Sequence, residues 1–152
     1  MISRRAFLLF LGSSPALAQL PPNISAERQA ALRAAIRKAT GGAPVRGGKV
    51  TLSMPPLIDN GNTVPIRVTV DSPMTEADHV KVIHLFTEKN PQPYVLTAHL
   101  GPRAGRARVD TRARIADTGQ VIAIAQLSDG SYWSDTVSVV VTLSACLEDG
   151  LI

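Results

Sequence analysis

The sequence predicts an all-β domain, an immunoglobulin-like antiparallel β-sandwich of about seven strands with one N-terminal helix. Three observations carry that expectation. From Lys49 onward, short β-branched segments recur, each divided from the next by Gly, Pro, Asn or Asp. No stretch between them has helical length and period. Upstream, the run from Ile24 to Gly42 alone has the composition of a helix. A chain of 152 residues has room for one domain with a modest core. Apolar residues make up 45% and aromatics only 4%, so Val, Ile, Leu and Ala must build that core.

The first element reads as an export signal. Arg4 and Arg5 precede a short apolar run, Ala6 to Leu11, and Ala16-Leu17-Ala18 follows: charged, apolar and small-residue parts in order. The Ser-Arg-Arg-x-Phe-Leu arrangement resembles a twin-arginine signal, the route for proteins exported folded. Cleavage is expected after Ala18. The apolar run is too short for a hydrocarbon layer of about 30 Å, and Gly12, Ser13, Ser14 and Pro15 interrupt it. A periplasmic protein is expected, with residues 1–18 as signal, 19–47 as helix and linker, 48–143 as sandwich and 144–152 as a C-terminal arm. Loss of Arg4 and Arg5 lowers the basic count from 16 to 14 against 12 acidic residues. So small a surplus makes no case for nucleic acid, and no later stretch is apolar enough to make a membrane a partner.

In the helix, Ser25 is placed to cap, Glu27 lies in the first turn, Lys38 lies near the end, and Gly41 and Gly42 stop it. Leu32 and Ile36, four apart, form one apolar stripe that needs a packing surface. The strands follow in order. Val50, Leu52 and Met54 alternate before Pro55-Pro56. After the turn at Asn60-Gly61-Asn62, Val64, Ile66, Val68 and Val70 point to one side, and Pro65 marks the start or an edge of that strand. In the next strand Val80, Val82, His84 and Phe86 alternate with Lys81, Ile83, Leu85 and Thr87. The remaining segments begin at Tyr94, Arg106, Gln120 and Tyr132, the second and fourth after the turns Gly-Pro-Arg-Ala-Gly and Ser-Asp-Gly-Ser.

Chemistry is sparse. His79, His84 and His99 lack metal-ligand spacing, and one is expected exposed with the other two packed or hydrogen-bonded. Met54 and Met74 are too few for a copper-binding cluster. No nucleophile elbow, phosphate-cradling glycine loop or paired-carboxylate site appears, so no catalytic residue, metal or cofactor is expected. Asp71, Glu76 and Asp78 read as a solvated corner. Arg103, Arg106, Arg108, Arg112 and Arg114 crowd one segment, the last four at a common strand parity. Arg106 and Arg108, with Tyr132 and Trp133, are candidates for a partner-facing surface, the alternatives being a charged exposed sheet face for the arginines and a core position for Trp133.

Cys146 is the only cysteine. Exported proteins usually pair theirs. A lone thiol there is either buried and inert or kept for an intermolecular or covalent role, and the count alone leaves both open.

The segments "GNTVPIRVTVDSPMTEADHVKVIHLFTEKNPQP", "GRARVDTRARIA" and "SDGSYWS" resemble the SoxY family, sulfur-substrate carrier subunits of the periplasmic thiosulfate-oxidising (Sox) system. The resemblance runs from about Gly48 to Cys146. It implies a helix followed by an immunoglobulin-like sandwich, pairing with a SoxZ-like subunit, and a C-terminal Gly-Gly-Cys-Gly-Gly arm whose thiol is linked to the sulfur substrate. It further implies three partner enzymes: a haem enzyme that attaches thiosulfate, a hydrolase that releases sulfate and a molybdenum–haem enzyme that oxidises the sulfane sulfur. The carrier itself is not an enzyme. Cys146 falls on the carrier cysteine, the expected substrate-attachment residue. Around it the pattern departs: Ser144 and Ala145 stand before the thiol, and Leu147, Glu148, Asp149 and Gly150 after it. Leu147 adds bulk, and Glu148 and Asp149 disfavour the thiolate and an incoming anion. The alternative expectation is therefore a non-carrying SoxY paralogue that serves as a periplasmic protein-interaction module.

Overall fold

Alanine-rich sequence between Ile24 and Thr40 forms helix α1. Glu27 in its first turn and Arg37 and Lys38 in its last complement the helix dipole. Gly41 and Gly42 adopt φ of 62° and 80°, and the Gly42 N–H donates to the Arg37 carbonyl at 3.2 Å, closing the C-terminus as a left-handed cap. The computed structural model describes residues 24–142, so the signal segment, its cleavage point after Ala18 and the arm bearing Cys146 lie outside the described residues.

The strands are β1 (Val45–Gly47), β2 (Val50–Ser53), β3 (Leu57–Ile58), β4 (Val64–Val70), β5 (Val80–Thr87), β6 (Tyr94–His99), β7 (Arg108–Ala113), β8 (Gly119–Leu127) and β9 (Tyr132–Val141). The larger sheet runs β1-β9-β8-β5-β6, with β3 also on β9; the smaller runs β2-β4-β7. The fold is an all-β sandwich, as expected, with two strands more than the alternation shows. Both extra strands are short, three and two residues, and both pair with β9 in parallel: Val45 opposite Tyr132, and Leu57 opposite Val140. Between them the chain leaves for the smaller sheet as β2.

Strand β4 keeps the strict alternation its sequence predicts, with Val64, Ile66, Val68 and Val70 buried and Pro65, Arg67 and Thr69 exposed. It is the middle strand, yet β2 covers only Arg67 to Val70. Pro65, which has no N–H to donate, therefore stands where one flank of β4 is unpaired. Strand β5 departs from simple alternation. Its register against β8 slips between Val80 and Val82, so Val80 joins Ile83 and Leu85 in the core instead of sharing a face with His84 and Phe86.

The core lies between the sheets. The buried side chains of β4 face Ile83, Leu85, Val121, Ala123 and Ala125 of the larger sheet. A second, smaller cluster sits on that sheet's outer face, where Leu32 of α1 meets Phe86 and Ile124, flanked by Ile36, Ile122 and Tyr132. The apolar stripe of α1 thus finds its surface on β5 and β8.

Candidate functional site

Strand β9 ends at Val141, a short way before Cys146 in sequence, and several bonds pin that end. The Val141 N–H donates to Thr118 Oγ1 at 2.9 Å, and Val141 itself is buried. On the other flank, the Val140 N–H reaches the Pro56 carbonyl at 2.8 Å and the Thr142 N–H the Ile58 carbonyl at 2.9 Å. The end of β9 is therefore held on both flanks.

A second region gathers charge. On the outer face of the smaller sheet, register sets Arg67 opposite Asp110 and Thr69 opposite Arg108. The Asp110 carboxylate accepts from Arg67 Nε at 2.6 Å and from Arg108 Nε at 2.5 Å. The hydrogen bond from Arg108, then that from Arg67, holds its carboxyl at about 2, well below the ordinary 3.8. Arg112 shares this face, paired with Pro65. Arg106 and Arg108 line a groove of about 520 Å³ with Lys49, Thr51, Arg67 and Thr69.

Lys49 links that groove to Trp133. Its ammonium lies 5.3 Å from the ring centroid, and the Arg46 guanidinium, delivered by β1 opposite Trp133, lies 5.9 Å away. The half-buried indole donates from Nε1 to Ser131 Oγ at 2.9 Å. Of the residues read as partner-facing, the structure therefore brings Arg106 and Arg108 into one groove and reaches Trp133 through Lys49. Tyr132 alternates to the other side of β9 and packs with the α1 cluster. Arg67 and Lys49 were not legible as members, since the strand register that unites them is a tertiary fact.

The histidines separate. His99 is exposed, and His79 Nδ1 lies 3.1 Å from the Thr75 carbonyl. His84 is buried, with Nδ1 3.2 Å from both Tyr94 Oη and Thr97 Oγ1. Burial, aided by the charge of His99, pushes its pKa below the ordinary 6.5. Among the described residues no three His, Cys, Asp or Glu side chains group as metal ligands. No helix there is long and apolar enough to cross a membrane.

These features define a helix-bearing immunoglobulin-like sandwich with a cationic outer face and a firmly anchored β9. Solved structures similar to it include a superoxide reductase (neelaredoxin) from Ignicoccus hospitalis, at 16% identity and TM-score 0.56, covering 62% of this chain and 80% of that one. Another is a putative superoxide reductase from Thermotoga maritima, at 19% identity and TM-score 0.55, covering 64% and 93% respectively. At such identity the likeness is one of fold alone. No curated protein sequence matches the chain. The family model described as sulfur oxidation protein SoxY matches residues 36–146. The chain belongs to the SoxY family, and its role lies in sulfur oxidation.

Proposed function

We propose that the protein is a covalent carrier of thiosulfate-derived sulfur on Cys146, acting in the periplasm as a heterodimer with a SoxZ-like subunit and without a catalytic centre of its own. The observation that carries this reading is the place of the thiol. The family match ends on Cys146, a short way past Thr142, where β9 is pinned on both flanks. A rigid base with a reactive group just beyond it suits a tether, because the sandwich stays still while the arm presents its sulfur. The chemistry balances when a haem enzyme takes two electrons as the thiolate joins thiosulfate, leaving Cys146 as a thiosulfonate adduct. Water then splits off sulfate in the hydrolase, and a persulfide remains for the molybdenum–haem enzyme.

Intact mass of the mature protein tests this, after incubation with thiosulfate and the haem enzyme of the system. The expected result is a reductant-sensitive gain of S2O3 in place of the thiol hydrogen, absent in Cys146→Ser. An unmodified thiol, with the same enzyme loading an ordinary carrier in parallel, would establish the interaction module instead.

A further inference from the structure

A sandwich must deal with the unpaired edges of its sheets, which otherwise recruit foreign strands. Among the described residues, three of the four edges here are guarded. On the β9 side, the edge of the larger sheet consists of β1 and β3, three and two residues long. In the smaller sheet, β2 has four residues, and its Leu52 N–H is taken by the Asp135 carboxylate at 2.8 Å. Its other edge, β7, carries Arg108, Asp110 and Arg112 on its outer side. The remaining edge is β6, "YVLTAH", six residues with no Lys, Arg, Asp, Glu or Pro. Val95, Leu96 and Ala98 are only half-buried there, and Tyr94 is 41% exposed.

Beside this edge lies an apolar cleft. Helix α1 seats Leu32 and Ile36 over β5 and β8, and its alanines line the other side. Ala34, Ala35, Lys38, His84, Pro93 and Tyr94 bound a cleft of about 800 Å³ between α1 and the start of β6. A six-residue strand alone is short of the roughly 800 Å² per partner of a stable interface. The cleft and the exposed alanines of α1 extend the edge into a larger surface.

We infer that the β6 edge, with the cleft it shares with α1, is where the partner subunit docks: an extended strand pairs with β6, sends an apolar side chain into the cleft and sets a carboxylate near Lys38. Charge selects this occupant over a second copy of the chain. Lys38 lines the cleft and Lys81 holds the end of β6 through its carbonyl, while no carboxylate lines the cleft. Glu88, at the nearby end of β5, is engaged with Gln29, the Gln120 N–H and Lys89. A second copy would face cation with cation, whereas an apolar strand bearing an acid meets both demands.

The inference rests on the pairing part of the reading above and adds the face that pairs. Hydrogen exchange on the full chain, alone and mixed with the SoxZ-like subunit, tests it. Amides of residues 94–100 and 31–39 should gain protection in the complex. Thr97→Lys, which places a charge on the edge, and Ala34→Trp, which fills the cleft from an exposed helix position, should each weaken pairing about tenfold or more. Ala34→Trp should leave the unfolding midpoint of the free chain unchanged, so that lost pairing is not lost folding. A complex that forms with new protection only at Arg108–Ala113 or Tyr132–Trp133, and with wild-type affinity in both variants, overturns this inference and leaves the heterodimer standing. Failure of the wild-type chain to form any complex overturns both.

Discussion

The carboxylate of Asp135, on β9, accepts the backbone N–H of Leu52, on β2, at 2.8 Å, and so joins the two sheets where the chain crosses between them. Leu52 is buried, and its amide has left the edge of β9 that β1 and β3 occupy on either side. Asp135→Ala strands that donor. A loss of about 1–3 kcal/mol in denaturant unfolding is expected, with much of it recovered in Asp135→Asn, whose amide oxygen still accepts. Equal losses in both variants would mean the charge, not the acceptor, matters.

Asp110 should make the fold sensitive to acid. Its carboxyl titrates at about 2 when folded against an ordinary 3.8. A depressed folded value means stability present above about 3.8 and lost as pH falls toward 2. Asp110→Asn should flatten that part of the profile, and added salt should shrink the difference, since the cluster is exposed. An NMR titration of the Asp110 side chain with a midpoint near its ordinary value would rule the clamp out.

His84 predicts a second acid limb, nearer neutrality. Burial lowers its folded pKa below 6.5, so the unfolded chain binds the proton first as pH falls. Stability contributed by the neutral ring is whole above 6.5 and declines below it. Replacement by Phe should remove that decline, measured as the change in unfolding midpoint between neutral and mildly acidic buffer. An unchanged slope would rule out His84 as its origin.

Thr118→Val should loosen the end of β9. The Val141 N–H loses its acceptor at 2.9 Å, at a cost of about 1–3 kcal/mol for a buried donor. Amide exchange at Val141 should accelerate in Thr118→Val and stay slow in Thr118→Ser. If exchange is unaffected, the pairing of β9 with β3 and β8 holds that end by itself.

Much of this architecture is readable from local pattern. The alternation of β4, the glycine stop of α1 and the parity of Arg108 and Arg112 all survive in the fold, because each depends on neighbours close in sequence. What escaped depends on register. Val80 changes face because of a slip against β8, and β1 and β3 exist only as parallel partners of β9. The same holds for the charged surface. Arg106 and Arg108 announce themselves in a row, but Arg67 joins them by standing opposite Asp110, and Lys49 by approaching Trp133. Adjacent in sequence, Tyr132 and Trp133 pack into different clusters, as side chains on a strand must alternate. Cys146 was legible only as a lone thiol in a familiar setting, and its family match now ends on it.

Trp133 gives the molecule an optical reporter. It is the only tryptophan in the chain, held half-buried at the corner where β1 meets β9, with two cations over its ring. Ultraviolet-excited emission from the protein is therefore dominated by one place. A partner that displaced Arg46 or Lys49 would shift its colour and brightness. A partner seated on β6, three strands away at about 4.8 Å per step, would leave the indole dark to the event. A single cuvette thus distinguishes the two surfaces without any label.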